Sequence, residues 1–296
     1  MNDKPLVSVL MTVYNREHFI GEAIDSVLAS TYTDFELIVV DDCSKDRSVS
    51  IAQSYAAKDP RIKVYSNEKN LGDYNNRNKA ASYARGKYLK YIDSDDTIYP
   101  WGLEAMVYCM EKEPGAGYGL MSHNLDIPKA YPVLLSCEEA YRAFFFKGGL
   151  IAMGPIGAIF KREAFEKVSG FSGKPYVGDS EMWLKMSRYF PVVQMPLELV
   201  WWRQHEGQQI KEGHKNNYYI INQFKVYKES LEHPDCPLPE EERGMAIRNM
   251  QNLRARHIIF HELLKIRWRQ GLSLLKESDM NFFDLLKGLS KNRYPA

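Results

Sequence analysis

The chain has few of the features that mark secreted, membrane-spanning or nucleic-acid-binding proteins. Its 296 residues include four cysteines, none in a CxxC pair, which argues against a dense disulfide framework and a zinc knuckle. These are Cys43, Cys109, Cys137 and Cys236. No run of about 18 apolar residues occurs, so no membrane span is expected. The formal net charge of +1 gives no global attraction to nucleic acid, and no nucleic-acid partner is expected.

Targeting and phosphate-loop motifs are also missing. The apolar stretch 6–14 has no basic leader and no small-residue cleavage site, so we expect no signal peptide and a cytoplasmic location with reduced thiols. No GxGxxG or GxxxxGK[ST] follows the first apolar segment, which argues against a dinucleotide dehydrogenase and a P-loop enzyme. His257 and His261 have metal-ligand spacing, but no HExxH completes the motif, and we interpret the pair as a helix face.

What is present is a regular alternation over the first hundred residues. Apolar, β-branched segments predict strands, and apolar residues at helical spacing predict helices between them. The predicted strands are 6–13, 35–40, 62–65 and 87–92, and the predicted helices are 17–30, 47–57 and 73–84. This order predicts βαβ units, and so an α/β fold with a mainly parallel sheet and helices on both faces. Ligands of such sheets bind outside the carboxyl ends of the strands.

The rest of the chain divides by pattern and by charge. Segment 113–155 is less regular, 162–168 has helical spacing, and 197–202 predicts a strand. From residue 216 onward the pattern is helical, with a break at 233–239. We therefore predict an α/β domain at 1–209 and a helical extension at 210–296. The first carries 24 Lys+Arg and 27 Asp+Glu, a net −3, and the second carries 15 and 11, a net +4.

Acidic residues cluster at the ends of two predicted strands. Asp93-Ser94-Asp95-Asp96 places three carboxylates within four residues, directly after the strand 87–92. Asp41-Asp42 ends another apolar strand. Carboxylates that repel one another and are costly to desolvate persist where a positive charge compensates them, and a divalent metal is one such charge. These clusters predict a metal and a polar ligand along one edge of the sheet.

Several short motifs resemble family 2 glycosyltransferases, whose fold is GT-A. The resemblance covers about residues 4–207, and its motifs occur in the family's order. They are segment 5–15, segment 35–46 (FELIVVDDCSKD), Asn70-Leu71-Gly72, Arg77-Asn78, segment 84–88, Asp93 to Asp96, segment 178–183 and segment 202–205. The resemblance implies a GT-A catalytic domain followed by the helical extension.

In that family the acidic DxD residues hold Mg²⁺ or Mn²⁺ against the diphosphate of a nucleotide-sugar. The resemblance implies that Asp95 is the direct metal ligand and that Asp93 reaches the ribose or a metal-bound water. Ser94 belongs to the same nucleotide-binding turn, and we expect Asp96 to cap the following helix. His205 is expected to ligate the metal or touch the diphosphate. Arg203 is a candidate phosphate partner.

The resemblance also implies a base-recognition pocket made by Thr12, Tyr14, Arg77 and one of two aspartates. A carboxylate can accept a hydrogen bond from a pyrimidine ring N–H, and an aromatic ring can lie on the base. Because successive strand residues point in opposite directions, only one of Asp41 and Asp42 should face the nucleotide. The sequence leaves this choice open.

Asp179 is the expected general base for an inverting transfer, in which a carboxylate takes the proton of the attacking acceptor hydroxyl. The preceding residue is Gly178, where the family usually has Glu, and the motif departs from the pattern there. Glu181 is a weaker candidate for orienting the acceptor. Segment 154–157 lies where the family places an acceptor-side loop, and its glycines would allow close approach of a sugar.

The sequence therefore predicts an inverting enzyme that moves a sugar from a nucleoside-diphosphate sugar, with UDP-sugar the first choice, to a glycan or lipid-linked hydroxyl. Bacterial polysaccharide assembly is the expected setting. A nucleotidyltransferase with a similar acidic metal site and an inactive nucleotide- or carbohydrate-binding module are the alternatives. The basic helices 254–275 allow two roles, contact with an anionic membrane at its inner face, or packing against the catalytic domain or a second subunit.

Overall fold

The computed structural model describes residues 4–122, 130–147, 154–205, 218–263, 268–278 and 280–288. Backbone contacts divide the chain into two compact units, residues 1–207 and residues 208–296.

An eight-stranded sheet forms the centre of the first unit. In chain order the strands are β1 Val7–Val13, β2 Phe35–Asp41, β3 Ile62–Ser66, β4 Tyr88–Tyr91, β5 Thr97–Ile98, β6 Tyr118–Met121, β7 Val133–Leu135, β8 Ala158–Lys161, β9 Val192–Met195 and β10 Val200–Trp201. The sheet order is β3-β2-β1-β4-β8-β6-β9-β7, and β5 pairs separately with β10. β1 to β4 pair in parallel, as predicted, whereas β8 lies antiparallel between β4 and β6.

Helices cover both faces of this sheet, which confirms the predicted α/β class. They are α1 Ile20–Leu28, α2 Ser48–Ala56, α3 Asp73–Ser82, α4 Gly102–Lys112, α5 Cys137–Arg142, α6 Arg162–Lys167 and α7 Gly178–Tyr189. α1, α2 and α4 contribute Ile24, Ala52 and Met106 to one hydrophobic core. α3 and α7 contribute Ala80 and Trp183 to the core on the opposite face.

The two cores follow from the alternation of side chains along each strand. In β1, Val9 and Met11 enter the core on the α1 face, and Leu10 enters the core on the α3 face. In β2, Val39 enters the core on the α1 face, and Val40 enters the core on the α3 face. All five of these strand residues bury their apolar surface, which stabilises the fold by roughly 1.5–3 kcal/mol for each large side chain. The same alternation fixes which polar residues face which side at the strand ends.

The antiparallel ribbon of β5 and β10 differs from the sequence prediction. The strand expected at 197–202 is only two residues long, because it pairs with the two-residue β5 and not with the main sheet. Gly102 packs against the ribbon so closely that a Cβ there would lie 2.2 Å from the carbonyl oxygen of Leu199. The ribbon carries the chain back to the carboxyl edge of β4.

Segment 113–155 is more ordered than its sequence pattern suggested. It contains β6, β7 and α5, and a capping box formed by Ser136 and Glu139 starts the helix. β9 was also not predicted. These strands are only three or four residues long and, unlike β4, do not lie in a regular alternation with helical segments. Parts of the segment, 123–129 and 148–153, lie outside the described residues.

The second unit is helical, as predicted. It contains α8 Tyr218–Glu232, α9 Glu240–His257, α10 Trp268–Glu277 and α11 Phe282–Gly288, and a π-helical turn, Ile258–Leu263, continues α9. Its core includes Ala255, Ile258, Leu274 and Leu285. α8 ends and α9 begins on either side of the predicted break at 233–239. Within the described residues, no helix combines the length and the apolar character needed to cross a bilayer.

Candidate active site

The Asp93–Asp96 turn lies at the carboxyl end of β4, where the sequence predicted the site. The backbone N–H of Asp96 donates to the carbonyl of Asp93 at 3.0 Å and closes the turn. Oδ2 of Asp95 lies 2.9 Å from Nε of Arg16 and 3.0 Å from Nε2 of His205. The loop after β1 and the segment after β10 therefore meet at one carboxylate oxygen.

Asp96 does not cap a helix, contrary to the sequence prediction. The next helix, α4, starts at Gly102 without a side-chain cap. Oδ1 of Asp96 instead accepts the backbone N–H of Arg203 at 2.9 Å. Burial, together with the charge of Asp93, raises the pKa of Asp96 to about 8. Asp96 therefore fixes the chain that carries His205.

Arg77 in α3 connects two aspartates beneath the turn. Its Nη1 forms an ion pair with Oδ1 of Asp93 at 2.7 Å, and its Nε donates to Asp73 at 2.9 Å. The side chain is only 7% exposed. Burial alone would lower the pKa of the guanidinium, but Asp73 and Asp93 outweigh it and raise this pKa above the usual value. Arg77 is thus a buried cation that organises Asp93.

The side chain of Arg203 is held by the protein itself. Nε donates to the carbonyl of Asp95 at 2.9 Å, and Nη2 pairs with Glu22 at 2.6 Å. The guanidinium lies 4.7 Å from the ring centroid of Trp201. The imidazole of His205 stacks on Phe19 at 4.9 Å.

Asp41 and Asp42 point to opposite sides of the sheet. Asp42 continues the side of Val40, the α3 face, which Thr12 shares with Leu10. Asp42 accepts the backbone N–H groups of Leu71 and Gly72 at 2.8 and 3.0 Å and the side-chain amide of Asn67 at 2.9 Å.

Asp41 lies on the α1 face and accepts the backbone N–H of Ser44 at 3.0 Å. Its buried Oδ1 has no hydrogen-bond partner within the described part of the chain. Tyr14, beyond the end of β1, is 47% exposed, and Ser94 is buried in the turn after β4.

Asp179 lies in the first turn of α7, on the α3 face. Its backbone N–H donates to the hydroxyl of Tyr74 at 3.3 Å, and its Oδ1 accepts the N–H of Ser180 at 2.7 Å. Burial raises the pKa of the Asp179 carboxyl above its ordinary value. A carboxylate with a raised pKa is suited to accept a proton.

The glycine before Asp179 has a steric cause. A Cβ on Gly178 would lie 2.6 Å from the ring of Tyr74. The ring of Tyr74 therefore occupies the space that the Cβ of a larger residue at position 178 would need. The departure from the family motif and the choice of Tyr74 are two parts of one packing arrangement. Glu181, one half-turn further on, pairs with Lys174 at 3.0 Å.

Protein side chains alone offer an incomplete shell for a metal. The described residues contain no group of three or more His, Cys, Asp or Glu side chains placed to hold one ion. Asp95 and His205 do converge; the carboxylate suits Mn²⁺ or Mg²⁺ when phosphate oxygens of a substrate complete the shell, and the imidazole favours a transition metal such as Mn²⁺. These residues fit a cation that binds together with a diphosphate.

Sequence reasoning missed Arg16, Tyr74 and Lys90. Arg16 follows the first strand, at the carboxyl edge of the sheet. A cation next to the predicted acidic clusters at this edge is the sequence signal that could have identified it. Lys90 is fully buried in β4, and its ammonium donates to the carbonyl oxygens of Ile156 and Ala158, the latter at 3.2 Å. No sequence pattern marks the contact between Tyr74 and Gly178, because α3 and α7 are a hundred residues apart.

Comparison with known proteins agrees with this geometry. The family model "Glycosyl transferase family 2" matches residues 8–169, more than half of the chain. The chain belongs to glycosyl transferase family 2. It is therefore a glycosyltransferase, and the nucleotidyltransferase alternative is set aside.

Among curated members of the family, the chain is 39% identical over 127 residues to the putative teichuronic acid biosynthesis glycosyltransferase TuaG of Bacillus subtilis. This match covers 42% of the chain and 50% of TuaG. An uncharacterized glycosyltransferase of Methanocaldococcus jannaschii is 43% identical over 111 residues, 37% of the chain and 38% of that protein. The chain thus spans half or less of these two family 2 relatives.

Among solved structures, S. aureus TarS 1–349 in complex with UDP-GlcNAc superposes with a TM-score of 0.70 at 18% identity. The match covers 96% of this chain and 81% of TarS 1–349. The mannosyltransferase PcManGT of Pyrobaculum calidifontis, in complex with GDP-Man and Mn²⁺, gives a TM-score of 0.59 at 17% identity, over 97% and 86% of the two chains. At these identities the likeness establishes the GT-A fold of this family 2 chain.

Proposed function

We propose that this glycosyltransferase moves a sugar from a UDP-sugar to a hydroxyl group of a glycan or lipid-linked acceptor, with inversion at the anomeric carbon. One observation carries the proposal. The turn after β4 presents an acidic group compensated by cations, Asp93 with Arg77 and Asp95 with Arg16, and a separate carboxylate, Asp179, is desolvated. The first suits a charged donor, and the second suits proton transfer.

For the nucleoside we propose Asp42 as the contacting aspartate. It shares the α3 face with Thr12, and among the described residues its Oδ2 accepts one hydrogen bond, from Gly72, so one lone pair is available for a pyrimidine N–H. Asp41 lies on the other face, and its Oδ1 is buried. Tyr14 is exposed enough to lie on the base.

For the diphosphate, we propose that Asp95 and His205 hold a divalent cation and that Asp93, fixed by Arg77, binds the ribose. When bound, the cation offsets the negative charge that grows on the departing diphosphate. Mn²⁺ beside GDP-Man in PcManGT and UDP-GlcNAc in TarS make both components reasonable choices for testing here.

For the transfer, we propose that Asp179 accepts the proton of the acceptor hydroxyl. The hydroxyl oxygen forms its bond to the anomeric carbon while the bond from that carbon to the diphosphate oxygen breaks on the opposite side. The bonding electron pair leaves with the nucleoside diphosphate. Segment 154–157, tied to β4 by Lys90, borders the acceptor side.

The acceptor setting is proposed from the relatives. TuaG is named for teichuronic acid biosynthesis, and we propose a comparable polysaccharide acceptor in a bacterial cytoplasm for this chain. The second unit has a net charge of +4 and exposes Trp268, Leu272 and Phe283, at 58%, 63% and 71%. We propose that it contacts an anionic membrane, which cosedimentation with phosphatidylglycerol but not phosphatidylcholine vesicles would support.

The test is a panel of UDP-, GDP- and dTDP-sugars, measured by calorimetry with and without Mn²⁺. We expect one UDP-sugar to bind in the presence of Mn²⁺, and NMR of the transfer product to show an inverted anomeric centre. No binding of any panel member with metal present would reject the donor assignment. Retention of configuration would reject the role of Asp179.

A further inference from the structure

Arg16 occupies the carboxylate oxygen that a metal at Asp95 would need. Its Nε lies 2.9 Å from Oδ2 of Asp95, and the same oxygen is the one that His205 approaches. The Asp95 side chain is 14% exposed, so this pair is largely shielded from solvent. Within the described residues, Asp95 is the only carboxylate that pairs with Arg16.

The loop that carries Arg16 is anchored, whereas its guanidinium remains accessible. The backbone N–H donates to Oγ of Ser48 at 2.8 Å, and Nη1 donates to the carbonyls of Tyr14 and Asn15 at 3.2 and 3.1 Å. The side chain is 29% exposed. The arginine can therefore turn toward a ligand in the cleft without moving the backbone that follows β1.

A divalent cation and a guanidinium cannot share one oxygen at low cost, because like charges at such short distances repel strongly in a partly buried site. A diphosphate changes this balance, since it supplies oxygens that bind arginine well. Without the diphosphate, Arg16 opposes the metal. With it, the arginine has another anion to bind.

We propose that Arg16 is a positioning residue that holds Asp95 in the metal-free enzyme and turns to the diphosphate when donor and cation bind together. The inference rests on the proposed nucleotide and metal sites. The consequence is coupling between the two ligands. The cation binds weakly by itself, and the nucleoside diphosphate strengthens the binding of the cation. A coupling of 5- to 150-fold is the usual range between two ligands.

The test is Mn²⁺ binding by electron paramagnetic resonance to the full chain, with and without UDP. We expect Arg16→Gln to bind Mn²⁺ about tenfold more tightly than wild type without UDP, and to lose about tenfold in the enhancement that UDP gives. Arg16→Lys, which keeps the charge, should resemble wild type without UDP.

Arg47→Gln is the matched control. Arg47 pairs with Glu17 in the neighbouring loop, is 78% exposed, and has no contact with Asp95. It should leave both Mn²⁺ measurements unchanged. Equal or weaker Mn²⁺ binding by Arg16→Gln without UDP, or full UDP enhancement in that variant, would overturn the proposal. A wild-type chain that binds Mn²⁺ but not UDP would instead reject the proposed function. The Mn²⁺ affinities of wild type and Arg16→Gln without UDP would still test the role of Arg16.

Discussion

The carboxylates at the end of β4 and the carboxylate at the start of α7 lie in opposite surroundings. Asp93 and Asp95 each form an ion pair with an arginine, at 2.7 and 2.9 Å. Asp179 forms no ion pair within the described residues, and burial raises its pKa. The arginines compensate the charge of Asp93 and Asp95, whereas desolvation raises the pKa of Asp179 and makes it a better proton acceptor.

The difference separates two tasks that one acidic site could not perform well. An ionised, compensated group can exchange its cation for a metal or a ligand without taking up a proton. A desolvated group takes up a proton more readily than it binds a cation. Tyr74 and Arg77, both in α3, contact one group each: the Tyr74 hydroxyl accepts the backbone N–H of Asp179, and Arg77 pairs with Asp93.

The strongest challenge to this comparison is Asp179→Asn. We expect the transfer rate to fall by about 10²- to 10⁴-fold, because the proton of the acceptor hydroxyl loses its base. Donor affinity should remain within about twofold, since the metal and nucleotide groups stay intact. Steady-state kinetics and calorimetry measure the two quantities. Glu166→Gln, at an exposed residue of α6, is the control, and full transfer by Asp179→Asn would remove the base assignment.

Arg77→Gln tests the compensated side. Removing the buried cation leaves Asp73 and Asp93 without their partner, and we expect a loss of about 3–5 kcal/mol in the free energy of unfolding. Urea denaturation measures it. Arg47→Gln, which breaks an exposed ion pair, should cost less than about 1 kcal/mol. Equal losses of unfolding free energy in the two variants would show that the buried cation contributes no more to stability than the exposed one.

A double-mutant cycle between Tyr74 and Gly178 tests how Asp179 is placed. Gly178→Ala should lower the free energy of unfolding by about 1–3 kcal/mol, because its Cβ meets the tyrosine ring. In the Tyr74→Ala background the same substitution should be nearly neutral. Thermal or urea unfolding of the four proteins gives the coupling. Additive losses would show that the ring does not dictate the glycine.

Lys90 gives a smaller effect, on the pH dependence of stability. Burial lowers the pKa of this amine to about 7, whereas an unfolded chain keeps the ordinary value of 10.5. Between these values the unfolded chain binds a proton that the native chain does not, so stability rises with pH, by up to about 1.4 kcal/mol per unit. Below pH 7 this dependence vanishes.

Lys90→Met should remove that slope. Urea unfolding of both proteins at pH 6.5, 7.5 and 8.5 gives the difference in their free energies of unfolding. The contributions of the other titrating groups cancel in this difference. Parallel pH profiles would show that the amine is charged in the native protein throughout this range.

Much of the fold could be predicted because strong local patterns carry it. The strands from β1 to β4 are apolar and separated by helical spacing, so the parallel half of the sheet and its ligand-binding edge follow from periodicity. β6, β7 and β9 are as short as β4, but they lack the regular alternation with helical segments that marks β4, and they were not predicted. Their place in the sheet depends on partners that are distant in the chain.

The candidate site divides in the same way. The aspartates at the carboxyl ends of β2 and β4 form two clusters of neighbouring residues in the sequence. These clusters alone identify the edge of the sheet where the site lies. The partners that set their behaviour come from elsewhere: Arg16 is 79 residues from Asp95, and Tyr74 is 105 residues from Asp179. Residue type shows which groups could react, but only tertiary packing decides whether a carboxylate is paired or desolvated.

The antiparallel strand β8 has a consequence for synthesis of the chain. It lies between β4 and β6, yet residues 158–161 leave the ribosome some seventy residues after β4. Until then the edge of β4 offers unpaired backbone groups that could recruit another chain. Pairing of the free edge of β4 waits for this four-residue strand, so a nascent chain that pauses before residue 158 is exposed to misassembly at the strand that leads to the candidate active site.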